Sequence, residues 1–491
     1  MPRRGPATYT LDDLQYRCPT SKGKTLRPFA SVLVALSVSA GAPVAAQKDA
    51  PSPADPRLRA LSDVYDGRFD RARSILAGPA SDPGDPRTPF FLAYVDYWAL
   101  IYDPDDRLLR ERFEANLLRT LDLADGLPPD RAADAGTWVG TAHLLLAQLR
   151  AWERRSVAAA FEAGRSKRTL ERVARADPDL ADPLFALGTY NYMADRVSTF
   201  VKGLRALLFL PGGDERLGLR QLERAASEST HFRLDARLLL VTVYSHRKER
   251  RYDDALREMT RALRDAGDTV AVRYAAARLD LTLARPERAF EHLAVAEDLA
   301  RRDPEADRSV RAALSLLGAR AEFAILRPDL AAERLAALLA EGEALPRSTR
   351  EDAATLLSEA KDVLASPAWS RVREAITGPA SESPSFPVGS AVRLAERHPS
   401  DPAAALVAGR ALLAASAPQE AWVWLERAEA SAADLPASWV GPCRLLAARA
   451  LDLQGRREEA LVLYRKAAES APFTGREAAH HGQAAPFRMG T

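Results

Sequence analysis

From about residue 57 onward, apolar residues recur three and four positions apart, the period of helices that bury one face, and no durable stretch alternates as a half-buried strand would. Residues 88–102, 106–123, 131–151 and 154–175 read as helices, separated by Asp-Pro and Pro-Pro punctuation. Abundant Ala, Leu, Arg and Glu favour helix throughout. The pattern therefore predicts an all-α chain of helix pairs with short connections.

Within that pattern one arrangement repeats. Gly455, Ala460, Tyr464, Ala467 and Pro472 follow one another at the spacing of a tetratricopeptide (TPR) repeat. Each residue type has a packing reason: Gly455 permits the turn between two helices, Ala460 and Ala467 let helices approach, Tyr464 fills the groove, and Pro472 ends the second helix. A preceding unit uses Gly409, Ala421, Leu425 and Ala428. Further back, Ala255, Met259 and Ala262 are followed 34 residues later by Ala289, Leu293 and Ala296, the period of this repeat class. Gly67, Phe69, Ala72 and Ile75 open another unit. The fold expected is a TPR-like α-solenoid of antiparallel helix pairs with irregular N-terminal repeats.

The stretches Leu187-Gly188-Thr189-Tyr190-Asn191-Tyr192, Pro211-Gly212-Gly213-Asp214 and Glu249-Arg250-Arg251-Tyr252 are more distinctive. Over roughly residues 184–265 the chain resembles a group of uncharacterised exported bacterial TPR proteins; elsewhere it resembles the general TPR superfamily. That resemblance implies protein-binding scaffolding and transfers no catalytic residue. Independently of it, Phe200, Val201, Leu204, Leu207, Leu208 and Phe209 form an apolar face at helical spacing, and Asp214 is suited to cap the helix after the Pro-Gly-Gly break.

The N-terminus reads as an address. An apolar run from Phe29 to Val38 is preceded by Lys22, Lys24 and Arg27 and followed by small residues ending at Val44-Ala45-Ala46, the parts of a secretory signal peptide. Cleavage after Ala46 is expected. It removes six basic and two acidic residues and takes the formal charge from +2 to −2. Membrane association is expected only through this segment if it is uncleaved. No methionine lies between Met1 and Met193, so a leader of ordinary length would start at a non-AUG codon, with Leu26 the candidate.

The expected division is a signal peptide over 1–46, a flexible linker over 47–56, an N-terminal TPR-like array over 57–376, a linker over 377–388, C-terminal repeats over 389–474 and a flexible tail over 475–491. The linker is placed on Thr377 to Pro387, which lacks a helical pattern.

Charge changes the picture little. Sixty-nine basic residues face 67 acidic ones, so the broad positive field that holds nucleic acid is absent, and nucleic acid is not the expected partner. Candidate chemistry is sparse. Seven histidines include no H-E-x-x-H pair, no G-x-S-x-G elbow occurs, and Cys443 has no histidine near it in sequence. Cys18 lies upstream of the expected cleavage site, leaving Cys443 a small buried thiol. Asp103, Asp105 and Asp106 around Pro104 fit an inter-helix turn with a capping role better than a calcium loop. No cofactor, metal or catalytic residue is expected.

If the first helix of each pair lines a concave surface, Tyr244, Arg278, Arg410 and Arg449 occupy the same inward position. Spaced guanidiniums and an aromatic ring suit an acidic extended peptide or a C-terminal carboxylate. Charge reversal at Arg410 and Arg449 is then expected to weaken partner capture without unfolding the protein. The function expected is an exported non-enzymatic scaffold in the periplasm or cell envelope. The alternatives are an envelope enzyme acting on peptidoglycan or polysaccharide through a carboxylate pair in a deep cleft, and a structural homo-oligomer.

Overall fold

The computed structural model describes residues 55–79, 81–196, 212–376, 386–471 and 475–489. The signal segment, the apolar face at Phe200–Phe209, the heart of the linker (377–385) and Pro472 lie outside them. The described residues form helices joined by turns, with no strand among them.

Helices follow in pairs: α1 (Pro56–Tyr65) and α2 (Phe69–Leu76), α3 (Arg87–Tyr102) and α4 (Arg107–Asp125), α5 (Pro129–Trp152) and α6 (Ser156–Ala176), α7 (Asp182–Arg196) and α8 (Glu215–Glu228). Next come α9 (Arg233–Ser245) and α10 (Tyr252–Ala266), α11 (Val270–Thr282) and α12 (Pro286–Arg302), α13 (Arg308–Ala324) and α14 (Pro328–Leu339), α15 (Arg347–Leu364) and α16 (Pro367–Val372). The C-terminal part holds α17 (Val388–Arg397), the pairs α18 (Pro402–Ala414) with α19 (Pro418–Ala430) and α20 (Ala437–Leu453) with α21 (Arg457–Glu469), and α22 (Arg476–Ala484).

The two members of a pair are buried differently. Second helices bury a single stripe: Tyr252, Ala255, Met259 and Ala262 on α10, Ala421, Leu425 and Ala428 on α19, Ala460, Leu463, Tyr464 and Ala467 on α21. These are the stripes the repeat spacing predicted. First helices are buried nearly all round, as α3 is from Phe90 to Tyr102 and α18 is from Ala403 to Leu413. A helix apolar on every side needs neighbours on every side.

Those neighbours come from winding. Tyr65 of α1 reaches Asp235 of α9, the Asp307 amide donates to the Gly67 carbonyl at 2.8 Å, and Asp105 accepts from the Ser348 amide at 3.1 Å. The array curls until its first pairs touch α11 and α13. First helices thus form an inner layer packed on itself, and second helices an outer layer facing water. An aromatic cluster fills the centre, where Trp138 meets Phe90, Phe91 and Phe232 at ring separations of 5.1–5.8 Å.

Among the described residues, seven turns from first to second helix contain a residue in the left-handed region: Gly67, Arg154, Arg250, Ala284, Leu326, Ser416 and Gly455. Each lets the chain reverse while a following amide satisfies a carbonyl of the helix just ended, as Arg285 N–H does at Asp280 (2.7 Å). Between α7 and α8 the close approach is made by glycine on both sides. A Cβ on Gly218 would lie 2.5 Å from the Tyr192 nitrogen and 2.7 Å from the Gly188 carbonyl.

Two expectations need correction. Trp369, Val372 and Ala375, assigned to the first array, join the hydrophobic core of the C-terminal repeats, so the division of cores falls before residue 377. The stretch expected as a flexible tail instead contains α22, with Ala478, Ala479 and Gly482 buried. Its small residues, which read as featureless in sequence, are what let it lie flat: a Cβ on Gly482 would sit 2.2 Å from the Tyr464 ring.

Candidate partner cleft and the seam

The four positions expected on one concave surface do sit on first helices, but the structure does not bring them together on an open one. Tyr244, at the end of α9, is buried, and its hydroxyl donates to Glu223 at 2.6 Å. Burial and that carboxylate push its phenol well above the usual range. Arg278 is half-buried beside the Tyr274 ring, 5.9 Å away. Arg410 is buried and paired with Glu287. Arg449 is buried too, donating to the Leu283 and Ala284 carbonyls at 2.6 Å each, with the Phe487 ring 4.5 Å away. Arg410 and Arg449 therefore join the C-terminal repeats to the α11–α12 turn. The physical reason is the winding, which packs the inner faces of first helices against the chain itself.

Tyr244 instead floors a cleft in the outer layer. Its volume is about 300 Å³, and its walls are Glu223 and Ser227 of α8 and Asp254, Arg257, Glu258 and Arg261 of α10, with Arg251 at one end and Arg237 of α9 beneath. Arg251 stacks on the Tyr244 ring, 4.1 Å from its centre, and pairs with Asp254 at 2.5 Å. Arg257 pairs with Asp254, and Arg261 with Glu258 at 2.6 Å. Arg237 donates to the Ala226 carbonyl at 2.5 Å, and burial lowers it to about 10. Four guanidiniums thus face three carboxylates. Arg257 and Arg261 are 64% and 53% exposed and, among the described residues, pair with carboxylates one helical turn away, pairs weak enough to be exchanged for an incoming carboxylate.

A second cavity, about 460 Å³, is lined by Glu374, Ser390, Arg393, Glu396 and Arg397 beside the undescribed 377–385. Other ionisable groups pair within the fold. His143 pairs with Glu162 at 2.7 Å and His231 with Asp182 at 2.8 Å. Asp106 caps α4 through the Leu109 amide at 2.9 Å, as Asp214 caps α8 through Leu217, both as expected. Burial and the neighbouring Asp106 push Asp103 up to about 6. Among the described residues no group of three His, Cys, Asp or Glu is placed to hold a metal ion, and no helix is long and apolar enough to cross a membrane.

Sequence reasoning missed the buried carboxylates that organise the inner layer. Asp235 accepts from Tyr65, Tyr94 and Trp98; Asp182 from Ser229 and the Thr230 and His231 amides; Asp96 from Arg73 and Arg112. Their principal partners lie between 16 and 170 positions away, so no local spacing marked them.

No protein-family model matches the sequence, and no curated protein matches it. Similar solved structures include the human IFIT1 dimer with m7Gppp-AAAA, at 12% identity over 85% of this chain and 84% of that one with a TM-score of 0.26. The P58(IPK) TPR domain is 13% identical over 87% and 96%, with a TM-score of 0.24. Yeast Tom70 is 14% identical over 88% and 89%, with a TM-score of 0.22.

Proposed function

We propose that this protein is an exported, non-enzymatic helical-repeat scaffold that holds a protein partner in the periplasm or at the cell envelope. The observation that carries the contact is the cleft between α8 and α10. It offers exposed guanidiniums, a rigid aromatic floor and an excess of one positive charge, a surface suited to an acidic extended segment. Export rests on the basic, apolar and small-residue order of residues 22–46.

The test is crosslinking and affinity capture from the native envelope, comparing the wild type with Arg257→Glu plus Arg261→Glu. Both positions are on the outer layer, so the fold should survive. A partner that the wild type holds, that binds the purified protein more weakly as salt rises, and that the double variant loses supports the reading. Equal capture by both proteins removes the cleft. N-terminal sequencing of the mature protein checks export independently: a chain starting near Gln47 is expected.

A further inference from the structure

Arg285 is the capping residue before α12 and lies at the seam between the two sets of repeats. It is 8% exposed, and neither its Nε nor its Nη1 has a hydrogen-bond partner among the described residues. Two more buried guanidiniums share the seam. Arg449 spends its donors on the neutral carbonyls of Leu283 and Ala284, the two residues before Arg285, and Arg410 takes Glu287, two residues after it. Of the nearby carboxylates, Glu287 is taken by Arg410 and exposed Asp253 lies 3.2 Å from His481, while buried Asp280 acts on Arg285 through its charge without hydrogen-bonding Nε or Nη1.

Among the described residues, three buried guanidiniums gather around one turn with one directly bonded carboxylate and Asp280 at longer range, and two N–H donors of Arg285 stay unmet where water is excluded. Burying such a group is costly unless an acceptor meets it. The positive end of α12 points into the same place and adds to the demand for an anion.

We infer that this seam binds a small oxyanion, a carboxylate or a phosphate, with Arg285 as its principal donor and Arg449 and Arg410 as the surrounding positive field. Glu287, whose side chain is 46% exposed, marks the side facing solvent. An anion held there ties the α11–α12 turn to α18 and α20, so its occupancy stabilises the joint between the repeat sets. This site is separate from the Tyr244 cleft and does not depend on a protein partner.

The test is thermal unfolding of the full chain at constant ionic strength, titrating inorganic phosphate or acetate against chloride. Wild type, Arg285→Met and Arg302→Met are compared, the last removing an exposed arginine elsewhere on α12. A saturable rise of the midpoint in wild type and Arg302→Met, lost in Arg285→Met, is the expected result. The salt giving the larger rise identifies the source as phosphate or carboxylate. General salt stabilisation would raise all three alike, and that outcome, or the absence of any saturable rise, overturns the site. Should Arg285→Met fail to fold, saturable line broadening by folded wild type of ³¹P in inorganic phosphate or of ¹³C in labelled acetate decides the matter: saturable broadening of either supports the site, and saturable broadening of neither overturns it.

Discussion

Tyr65 and Asp235 are 170 positions apart and share a 2.8 Å hydrogen bond in the middle of the molecule. Tyr94 and Trp98 donate to the other carboxylate oxygen, at 2.5 and 3.2 Å. The three donors favour the ionised form, but complete burial outweighs them and pushes Asp235 up to about 6 from 3.8.

A pH dependence follows from that shift. Between about 4 and 6 the folded protein holds a proton on Asp235 that the unfolded chain releases, so this group's contribution is full at low pH and is lost as pH rises through 6. Two pH units correspond to about 3 kcal/mol. Asp235→Asn, which cannot titrate, should therefore gain on the wild type by up to that amount between pH 4 and pH 6.5 in denaturant unfolding. Parallel stability curves for the two proteins would show that Asp235 does not titrate in this window.

The contact between α7 and α8 gives a second prediction. Because a Cβ on Gly218 meets backbone atoms of Tyr192 and Gly188, no rotamer change can relieve it. Gly218→Ala should cost roughly 1–3 kcal/mol or more. Gly126→Ala, where the nearest atom is the Leu123 carbonyl at 3.6 Å, should cost far less. Similar midpoints in urea for both variants would mean that α7 and α8 are not packed this closely.

These two sites also show what the sequence could and could not convey. The outer stripes were legible because a helix buried on one side has a 3.6-residue period, and Ala255, Met259, Ala262 and their counterparts 34 residues on carry it plainly. The inner helices lost that period by being buried all round. Repeat register was hard to read because five of the seven left-handed turn positions are Arg154, Arg250, Ala284, Leu326 and Ser416 rather than glycine. The four candidate residues are dispersed for a tertiary reason. Tyr244, Arg278, Arg410 and Arg449 share a repeat position, yet the winding decides which inner faces stay open, and winding depends on pairs such as Tyr65 and Asp235 that no local pattern announces.

Cys443 offers a chemical check on the core of the C-terminal repeats. It is fully buried, and burial, with Glu429 adding, pushes its thiol up to about 12. At pH 8 only about one molecule in ten thousand would carry the thiolate. In a Cys18→Ser background, modification by a thiol-specific disulfide reagent should proceed only as fast as the protein opens, and become rapid in guanidinium. Fast reaction of the native protein would place Cys443 at the surface.

The seam gives the last prediction, and it reverses one drawn from repeat position alone. Charge reversal at Arg410 and Arg449 was expected to leave the fold intact, but Arg449→Glu would strip the carbonyls of Leu283 and Ala284 of their donor and set a carboxylate against those two oxygens. Even Arg449→Met, which keeps the stem, strips both carbonyls of their donor and should cost on the order of 1–3 kcal/mol. Gly482→Ala should loosen the same region from the other side by driving α22 off Tyr464, breaking the 2.5 Å bond from Tyr252 to Glu477. Hydrogen exchange distinguishes this from general destabilisation. In both variants amides of residues 476–484 should exchange faster, and in Arg449→Met those of 283–289 as well, while α3 stays protected at the wild-type level. If α3 loses protection in step with them, the seam is not a separate joint, because the two repeat sets then open as one cooperative unit.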